Sequence, residues 1–309
     1  MHIWAAIMQK GGAGRTVLTV NLACHAAKQG FTALVINLDR QPPLHAWFQA
    51  RLASEIPSDR LQVISASIGE LPYLLEEAAR QGVKLVIIDT APHSKREIIE
   101  ISRLSEIVLM PVRPAVWDIA GLCETLEILS LSKTGAYGTA DMAARDKALV
   151  VLNCVNSSTS EAGQALIALN GLDVKYICKT RIGERIEVRK AAAIGQGVCE
   201  FAPHGKTAAE FAGLFNEIVE WHRTVAKKQT EPDFDIVRGE TRGPRGTEPP
   251  NSEDRRSALS EPPADPSPGA REATKDIRTV AVEIGNLIRG LGVGAWNDLF
   301  QKHDGKPAA

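Results

Sequence analysis

The sequence has little cysteine, few aromatic residues and no apolar run long enough to span a membrane. Its five cysteines among 309 residues form no CxxC pair and lie in separate apolar stretches. A dispersed, odd set of cysteines argues against a disulfide framework or a metal site, and favours reduced, buried thiols. The first apolar run, residues 3–8, is too short for a signal peptide or a membrane span. These absences predict a cytoplasmic protein with no membrane contact.

An excess of charge of either sign is also lacking. The chain has 36 Lys and Arg against 37 Asp and Glu, a formal net charge of −1. This balance excludes a globally basic surface for nucleic acid but leaves local basic patches open. The 44% apolar fraction is ample for one sizeable core. Length alone would allow two domains.

Up to about residue 225, short apolar runs alternate regularly with longer stretches of helical periodicity. Near-continuous apolar strands are typical of a parallel sheet buried on both faces. The alternation therefore predicts a doubly wound α/β fold with a mostly parallel sheet. The predicted strands are residues 3–8, 32–38, 61–65, 84–89, 106–112, 148–153 and 174–177.

The composition changes after residue 228. Eight of the 17 prolines fall between Pro232 and Pro268, and such a segment buries too little apolar surface to offset the entropy of ordering. We therefore predict a folded domain over 1–228, a disordered linker over 229–270 and a tail over 271–309. Within the tail, residues 281–300 have helical periodicity, but four glycines weaken the predicted helix.

A glycine-rich turn follows the first predicted strand. The segment "QKGGAGRT" (9–16) leads from an apolar strand into an apolar helical pattern, a setting in which backbone N–H groups and the helix dipole bind phosphate. The general P-loop pattern GxxxxGK[ST] is broken twice, by Gln9 and by Arg15. Taken alone, the loop leaves open both a phosphate site and a turn without a ligand.

Six motifs in sequence order give the loop a context. "KGGAGRT" resembles the deviant Walker A motif of the ParA/MinD family of partition and positioning ATPases. "VINLDRQ", "LVIIDTAPH", "VLMPVRPAVWDIAG", "VVLNCV" and the segment from "RKAAAIGQGV" onward resemble later motifs of that family. The resemblance spans about residues 1–225 and is greatest to the small plasmid-partition proteins. It implies a P-loop NTPase fold over 1–228 that binds ATP and Mg²⁺.

The resemblance also implies roles for individual residues. Lys10 would reach the partner's phosphates in an ATP-bound homodimer, and Asp39 would orient the attacking water. Thr16 and Asp89 would hold magnesium, and Asn153 would contact the adenine. In isolation Lys10 could equally be a solvated loop charge, Asp39 a helix cap and Asn153 part of a turn. The other implied nucleotide-binding residues are Gly11, Gly12, Ala13, Gly14, Arg15 and Val17.

The departures from the family pattern cluster around the triphosphate. Arg15 replaces a lysine, Val17 a hydroxyl residue, Asn37 an acid and Arg40 a proline, and Ala115 stands where serine is frequent. Fold-defining positions are retained. We therefore expect nucleotide binding with weak ATPase activity.

Two functions from different classes follow. The first is an ATP-dependent dimer that segregates plasmids or chromosomes with a small DNA-binding adaptor of the ParB type. The second is a non-hydrolysing scaffold or regulatory protein with a degenerate nucleotide site. A membrane-cycling role is disfavoured because 281–300 carries a single cation, Arg289. Nonspecific DNA contact is expected at a basic cluster in which residues 185 and 189 share a helix face, although a solvated helix would explain the same charges. The cluster comprises Lys179, Arg181, Arg185, Arg189 and Lys190.

Overall fold

Seven strands form the centre of the computed structural model, which describes residues 1–39, 42–54, 56, 59–91, 94–131, 144–172 and 174–230. The strands are β1 His2–Ala6, β2 Ala33–Asn37, β3 Leu61–Ser65, β4 Leu85–Asp89, β5 Ile107–Val112, β6 Ala148–Leu152 and β7 Tyr176–Ile177. Their order across the sheet is β3-β2-β4-β1-β5-β6-β7. All neighbouring pairs are parallel. Each predicted strand is present: β3 has the predicted bounds, β1 begins one residue earlier and ends two earlier, and the other strands are shorter by one or two residues.

Helices cover both faces of this sheet. They are α1 Arg15–Lys28, α2 Pro42–Ala53, α3 Leu71–Arg80, α4 Lys95–Leu104, α5 Val116–Ser130, α6 Glu161–Asn170, α7 Ile186–Ala193, α8 Val198–Phe201 and α9 Lys206–Thr230. Ser94 and Glu97 form a capping box at the start of α4, which satisfies helix N–H groups that would otherwise lack partners.

Two apolar cores lie on opposite faces of the sheet. Successive side chains of β1 alternate between them: Ile3 and Ala5 belong to the core beneath α3 to α6. Trp4 belongs to the other core and packs against Phe215 of α9, with ring centroids 5.6 Å apart. Because both strand faces are buried, the central strands need apolar residues throughout. The doubly wound α/β prediction is confirmed.

The carboxyl ends of the central strands converge on one edge of the sheet. The register pairs Asp89, the last residue of β4, with Ala6 of β1 and Asn37 of β2. In doubly wound sheets this edge forms the ligand crevice. It therefore brings together the loops that the sequence marks as functional.

The predicted linker (229–270) and tail (271–309) lie outside the described residues, apart from the end of α9, which reaches Thr230. Their organisation stays a prediction. Among the helices that the structure describes, none has the combination of length and apolar content that crossing a bilayer requires.

Candidate nucleotide-binding site

The glycine-rich loop connects the end of β1 to the start of α1. Gly12 and Gly14 adopt positive φ angles of 77° and 99°, a conformation that residues with a Cβ atom rarely adopt. Gly14 occupies the N-cap position of α1 and supplies no side-chain cap. The first N–H groups of α1 are thus left to other acceptors, and an anion is well suited to them.

Arg15 lies beneath this loop. Its guanidinium donates Nε–H to the carbonyl of Thr90 at 2.6 Å and Nη1–H to the carbonyl of Lys10 at 3.0 Å. A further bond reaches the carbonyl of Met8. The side chain is only 8% exposed, and burial lowers its pKa against the opposing effect of Asp89 and Asp39. The Arg15 side chain, at the start of α1, therefore joins the beginning of the loop to the residue that follows β4.

Thr16 and Asp89 form the polar centre of the site. The Thr16 hydroxyl donates to Asp89 Oδ2 at 2.7 Å, and Thr19 of the same helix lies 3.4 Å from Oδ1. Burial raises the pKa of Asp89 to about 6, although these hydrogen bonds and Arg15 oppose the shift. A buried carboxylate beside a hydroxyl is an all-oxygen donor set of the kind that Mg²⁺ prefers. The residues present fit a magnesium ion at this position.

Asn37 and Asp39 follow from the end of β2. The Asn37 side chain is buried and accepts a hydrogen bond from the Asp39 backbone N–H at 3.0 Å. It also lies 3.4 Å from the hydroxyl of Ser65 on β3. Asn37 therefore shapes the turn that carries Asp39. The Asp39 carboxylate lies near enough to affect the pKa values of Arg15 and Asp89, while Arg40 lies outside the described residues.

Lys10 is held within its own chain. Its ammonium lies 2.9 Å from Oδ2 of Asp118, which stands in the first turn of α5 and is 1% exposed. Arg113 binds the other carboxylate oxygen at 3.0 Å. Burial acts to raise the pKa of Asp118, but the hydrogen bonds from Arg113 and Lys10 outweigh it and lower the pKa. Asp118 thus forms ion pairs with two cations at the rim of the loop.

Asn153 packs directly against the loop. It is buried, and its amide donates to the carbonyl of Ala13 at 2.9 Å. A Cβ atom added to Gly14 would come within 2.1 Å of the Asn153 amide nitrogen. Glycine at position 14 is therefore favoured both by its positive φ angle and by the close packing of Asn153. The predicted contact of Asn153 with adenine is not tested by these contacts.

The predicted basic cluster requires a correction. Arg185 precedes α7 and has an extended backbone, so it does not share a helix face with Arg189. Its guanidinium instead binds Glu210 of α9 in a bidentate pair at 2.6 and 2.9 Å. The sequence pattern missed this because the partner lies on another helix. The cluster's other members, Lys179, Arg181, Arg189 and Lys190, are exposed.

The prediction from sequence did not include three residues that contact the site. Thr19 lies one turn after Thr16 in α1, and Thr90 belongs to the motif "LVIIDTAPH", but no spacing pattern marks either hydroxyl as part of a site. Asp118 lies in "RPAVWDIAG", and its position in the first turn after a loop could have marked it as an acid at a helix N-terminus. Its ion pair with Lys10, 108 positions away, could not be predicted from the neighbouring sequence.

Comparison with known proteins identifies the domain. A profile of the CobQ/CobB/MinD/ParA nucleotide binding domain matches residues 4–198, more than half of the chain. The chain belongs to this family. The resemblance of its motifs to ParA/MinD proteins is thereby confirmed, and the loop is that of a nucleotide-binding domain.

Two sequence relatives of this MinD/ParA-type domain are named for the partition of chromosomes or the distribution of carboxysomes. The chromosome-partitioning ATPase Soj of Thermus thermophilus is 23% identical over 235 residues, covering 68% of this chain and 92% of Soj. Maintenance of carboxysome distribution protein A of Halothiobacillus neapolitanus is 25% identical over 215 residues, covering 68% and 93%.

Solved structures show the same fold. MinD of Pyrococcus horikoshii complexed with Mg-ADP has a TM-score of 0.54 and 17% identity, covering 73% of this chain and 99% of that one. A putative plasmid partition protein of Borrelia burgdorferi bound to AMPPNP has a TM-score of 0.52 and 15% identity, covering 71% and 99%. At these identities the likeness concerns the fold alone.

Proposed function

We propose that this protein is a partition-type ATPase that binds ATP with Mg²⁺, dimerises on binding and hydrolyses ATP slowly in plasmid or chromosome segregation. The observation that carries the proposal is the position of Lys10 at the rim of a glycine loop whose base holds Thr16 against Asp89. The similarity to Soj, a chromosome-partitioning ATPase, and to the putative plasmid partition protein of Borrelia burgdorferi supports it.

The site offers a charge pattern suited to a magnesium–triphosphate. The N–H groups at the start of α1 face the loop, and Thr16 and Asp89 would hold the ion. Bound there, Mg²⁺ would offset the negative charge on the phosphate oxygens. Asp39, placed by Asn37 at the end of β2, would orient the attacking water.

The proposed dimer uses the surface beside Lys10. Val116 and Trp117, in the first turn of α5, are 78% and 77% exposed and immediately precede Asp118. Large exposed apolar side chains next to a functional loop are typical of protein contact sites. Lys10 contacts Asp118 within the chain, so its action on the phosphates of a second copy requires that this ion pair opens.

Removal of Lys10 tests the dimer. The Lys10→Ala variant should keep its thermal stability almost unchanged, because a partly exposed ion pair contributes little. Asp118 also keeps Arg113 as a partner at 3.0 Å, so its buried carboxylate is not left without a cation. The variant should nevertheless lose ATP-dependent dimerisation, measured by light scattering, and ATP turnover, measured by phosphate release. Lys95→Ala is the matched control, since Lys95 is exposed at the start of α4. Undiminished dimerisation of Lys10→Ala would refute the trans role.

One observation favours the scaffold as a second candidate. The Arg15 guanidinium already binds three backbone carbonyls, so in this arrangement Nε and Nη1 are turned toward the protein. A chain that binds no nucleotide at millimolar concentration with Mg²⁺ in a calorimetric titration would be a scaffold that retains only the fold.

The proposal also includes DNA, a ParB-type adaptor and a cytoplasmic location. Lys179, Arg181 and Lys190 supply exposed positive charge near α7. Exposed lysines and arginines bind DNA phosphates without reading sequence. DNA that raises ATP turnover, and a further rise with the adaptor, would separate the partition function from the scaffold.

A further inference from the structure

Two histidines and a glutamate meet at the end of the sheet opposite the nucleotide loop. His2 is the first residue of β1, Glu106 immediately precedes β5, and His222 lies on α9. Glu106 Oε2 lies 2.8 Å from His2 Nδ1 and 3.2 Å from His222 Nε2. The two imidazole rings stand edge to face, with centroids 4.9 Å apart. We name this group the His2–Glu106–His222 cluster.

The cluster is separate from the nucleotide site. β1 has five residues, so its two ends lie about 13 Å apart at roughly 3.3 Å per residue. The glycine loop follows the last residue of the strand, whereas His2 is its first. The Glu106 backbone N–H donates to the Ile3 carbonyl at 2.7 Å, which holds the carboxylate beside the start of β1.

The donor atoms match those of a transition-metal site. Two imidazole nitrogens and a carboxylate oxygen are a recurring zinc-ligand set, and three protein ligands leave one tetrahedral position for water. Bonds of about 2.0–2.1 Å place tetrahedral ligand atoms about 3.3 Å apart. The ligand atoms of the cluster all lie within 4.8 Å of one another. Small side-chain movements, with release of the protons that the two imidazole nitrogens share with Glu106, would therefore accommodate an ion.

Burial and charge are also suited to a cation. The side chains of His2, Glu106 and His222 are 17%, 10% and 15% exposed, so the site is largely desolvated but open to entry. Burial acts to raise the pKa of Glu106, but its bonds to the two histidines outweigh burial and bring the pKa to about 2. The carboxylate is thus ionised at neutral pH and available as a ligand.

Lys147 is a neighbouring cation whose charge interacts with that of Glu106. It is fully buried and donates its ammonium hydrogen to the carbonyl of Ser105. Burial lowers the pKa of Lys147 to about 8, while the negative charge of Glu106 opposes the shift. Its bond to Ser105 directs the ammonium to a backbone acceptor, which leaves the contacts of Glu106 Oε2 with the two histidines in place.

We propose that His2, Glu106 and His222 form a binding site for a divalent transition-metal ion of the zinc class, with one imidazole nitrogen from each histidine and a Glu106 oxygen as ligands. The ion would join helix α9 to the starts of β1 and β5. Because an ion that binds only the folded state stabilises it, metal occupancy would fasten α9 to the sheet.

The test uses the full chain without an affinity tag, since a histidine tag would itself bind zinc. Zn²⁺ added to the metal-free protein should raise its Tm by several degrees, with one ion bound per chain in a calorimetric titration. Co²⁺ should give the intense visible absorption of a four-coordinate ion. His222→Gln should lose the Tm shift and the cobalt spectrum. His204→Gln should keep both, because His204 is exposed and lies outside the cluster.

Two results would overturn the proposal. Zinc binding by His222→Gln that equals wild-type binding would assign the ion to another site, such as the cysteine thiols. A wild-type chain with neither a Tm shift nor the cobalt absorption would leave the cluster as a hydrogen-bonded triad without metal. If His222→Gln does not fold, His2→Gln is measured by the same criteria.

Discussion

The position of Arg15 leads to a prediction that joins stability to catalytic rate. The guanidinium uses Nε and Nη1 to contact the carbonyls of Thr90, Lys10 and Met8. Hydrogen bonds to charged groups contribute about 1.5–3 kcal/mol each. A lysine ammonium is a single nitrogen on a flexible stem, so it cannot reproduce the forked contact with both the loop and Thr90.

Arg15→Lys should therefore lose at least one of these bonds. The free energy of unfolding without nucleotide should fall by about 1.5–3 kcal/mol, which corresponds to a Tm lower by about 3–12 °C for a domain of this size. The freed ammonium should follow the transferring phosphoryl group better than the guanidinium does. We expect ATP turnover to rise, by up to about 10²–10³-fold, the range attributed to one well-placed electrostatic donor.

Arg60→Lys is the matched control for this experiment. Arg60 donates to the carbonyl of Gly30 at 2.6 Å, outside the glycine loop, so its replacement also removes a guanidinium hydrogen bond to a backbone carbonyl. It should lower Tm without changing phosphate release. If Arg15→Lys stays folded and releases phosphate no faster than wild type, the guanidinium does not limit hydrolysis. An unchanged Tm would show that the three contacts add nothing to stability.

Two further predictions concern Asp89 and Arg51. Because the folded pKa of Asp89, about 6, exceeds its ordinary value, the stability contribution of this group falls as pH rises from about 4 to 6. The ionised form binds Mg²⁺, so Mg-ATP affinity should rise as pH increases through 6. Calorimetric affinities that stay constant between pH 5 and 7, or that rise equally with pH in Asp89→Asn, would contradict this. Arg51 is 1% exposed and binds both Glu200 oxygens at 2.9 Å. Arg51→Met should cost about 3–5 kcal/mol in urea unfolding because it leaves the Glu200 carboxylate without its cation, whereas the double variant with Glu200→Gln should recover part of the loss. An unchanged midpoint for Arg51→Met would refute the reasoning.

Local sequence was sufficient to predict the sheet. The residues of β4, Leu85–Asp89, are all buried, and a continuous apolar run is the pattern that such a strand must have. The loop was equally visible, because Gly12 and Gly14 occupy backbone conformations that favour glycine. Strands, glycine turn and the acid at the end of β4 are encoded within a few neighbouring residues each. These features therefore predicted the fold and the position of the loop before any contact was known, whereas the family was inferred from the resemblance of six ordered motifs.

Sequence alone determined that this chain forms a doubly wound sheet with a glycine loop and an acid at its carboxyl edge, since hydrophobic period and backbone conformation are local properties. Only the tertiary structure decided which charges meet. Lys10 contacts Asp118, which is 108 residues away in the sequence. Arg15 binds the Thr90 carbonyl 75 residues away, and His2 binds Glu106 104 residues away. These contacts depend on strand order and helix packing, which bring distant segments to one place. No short stretch of sequence therefore predicts these contacts.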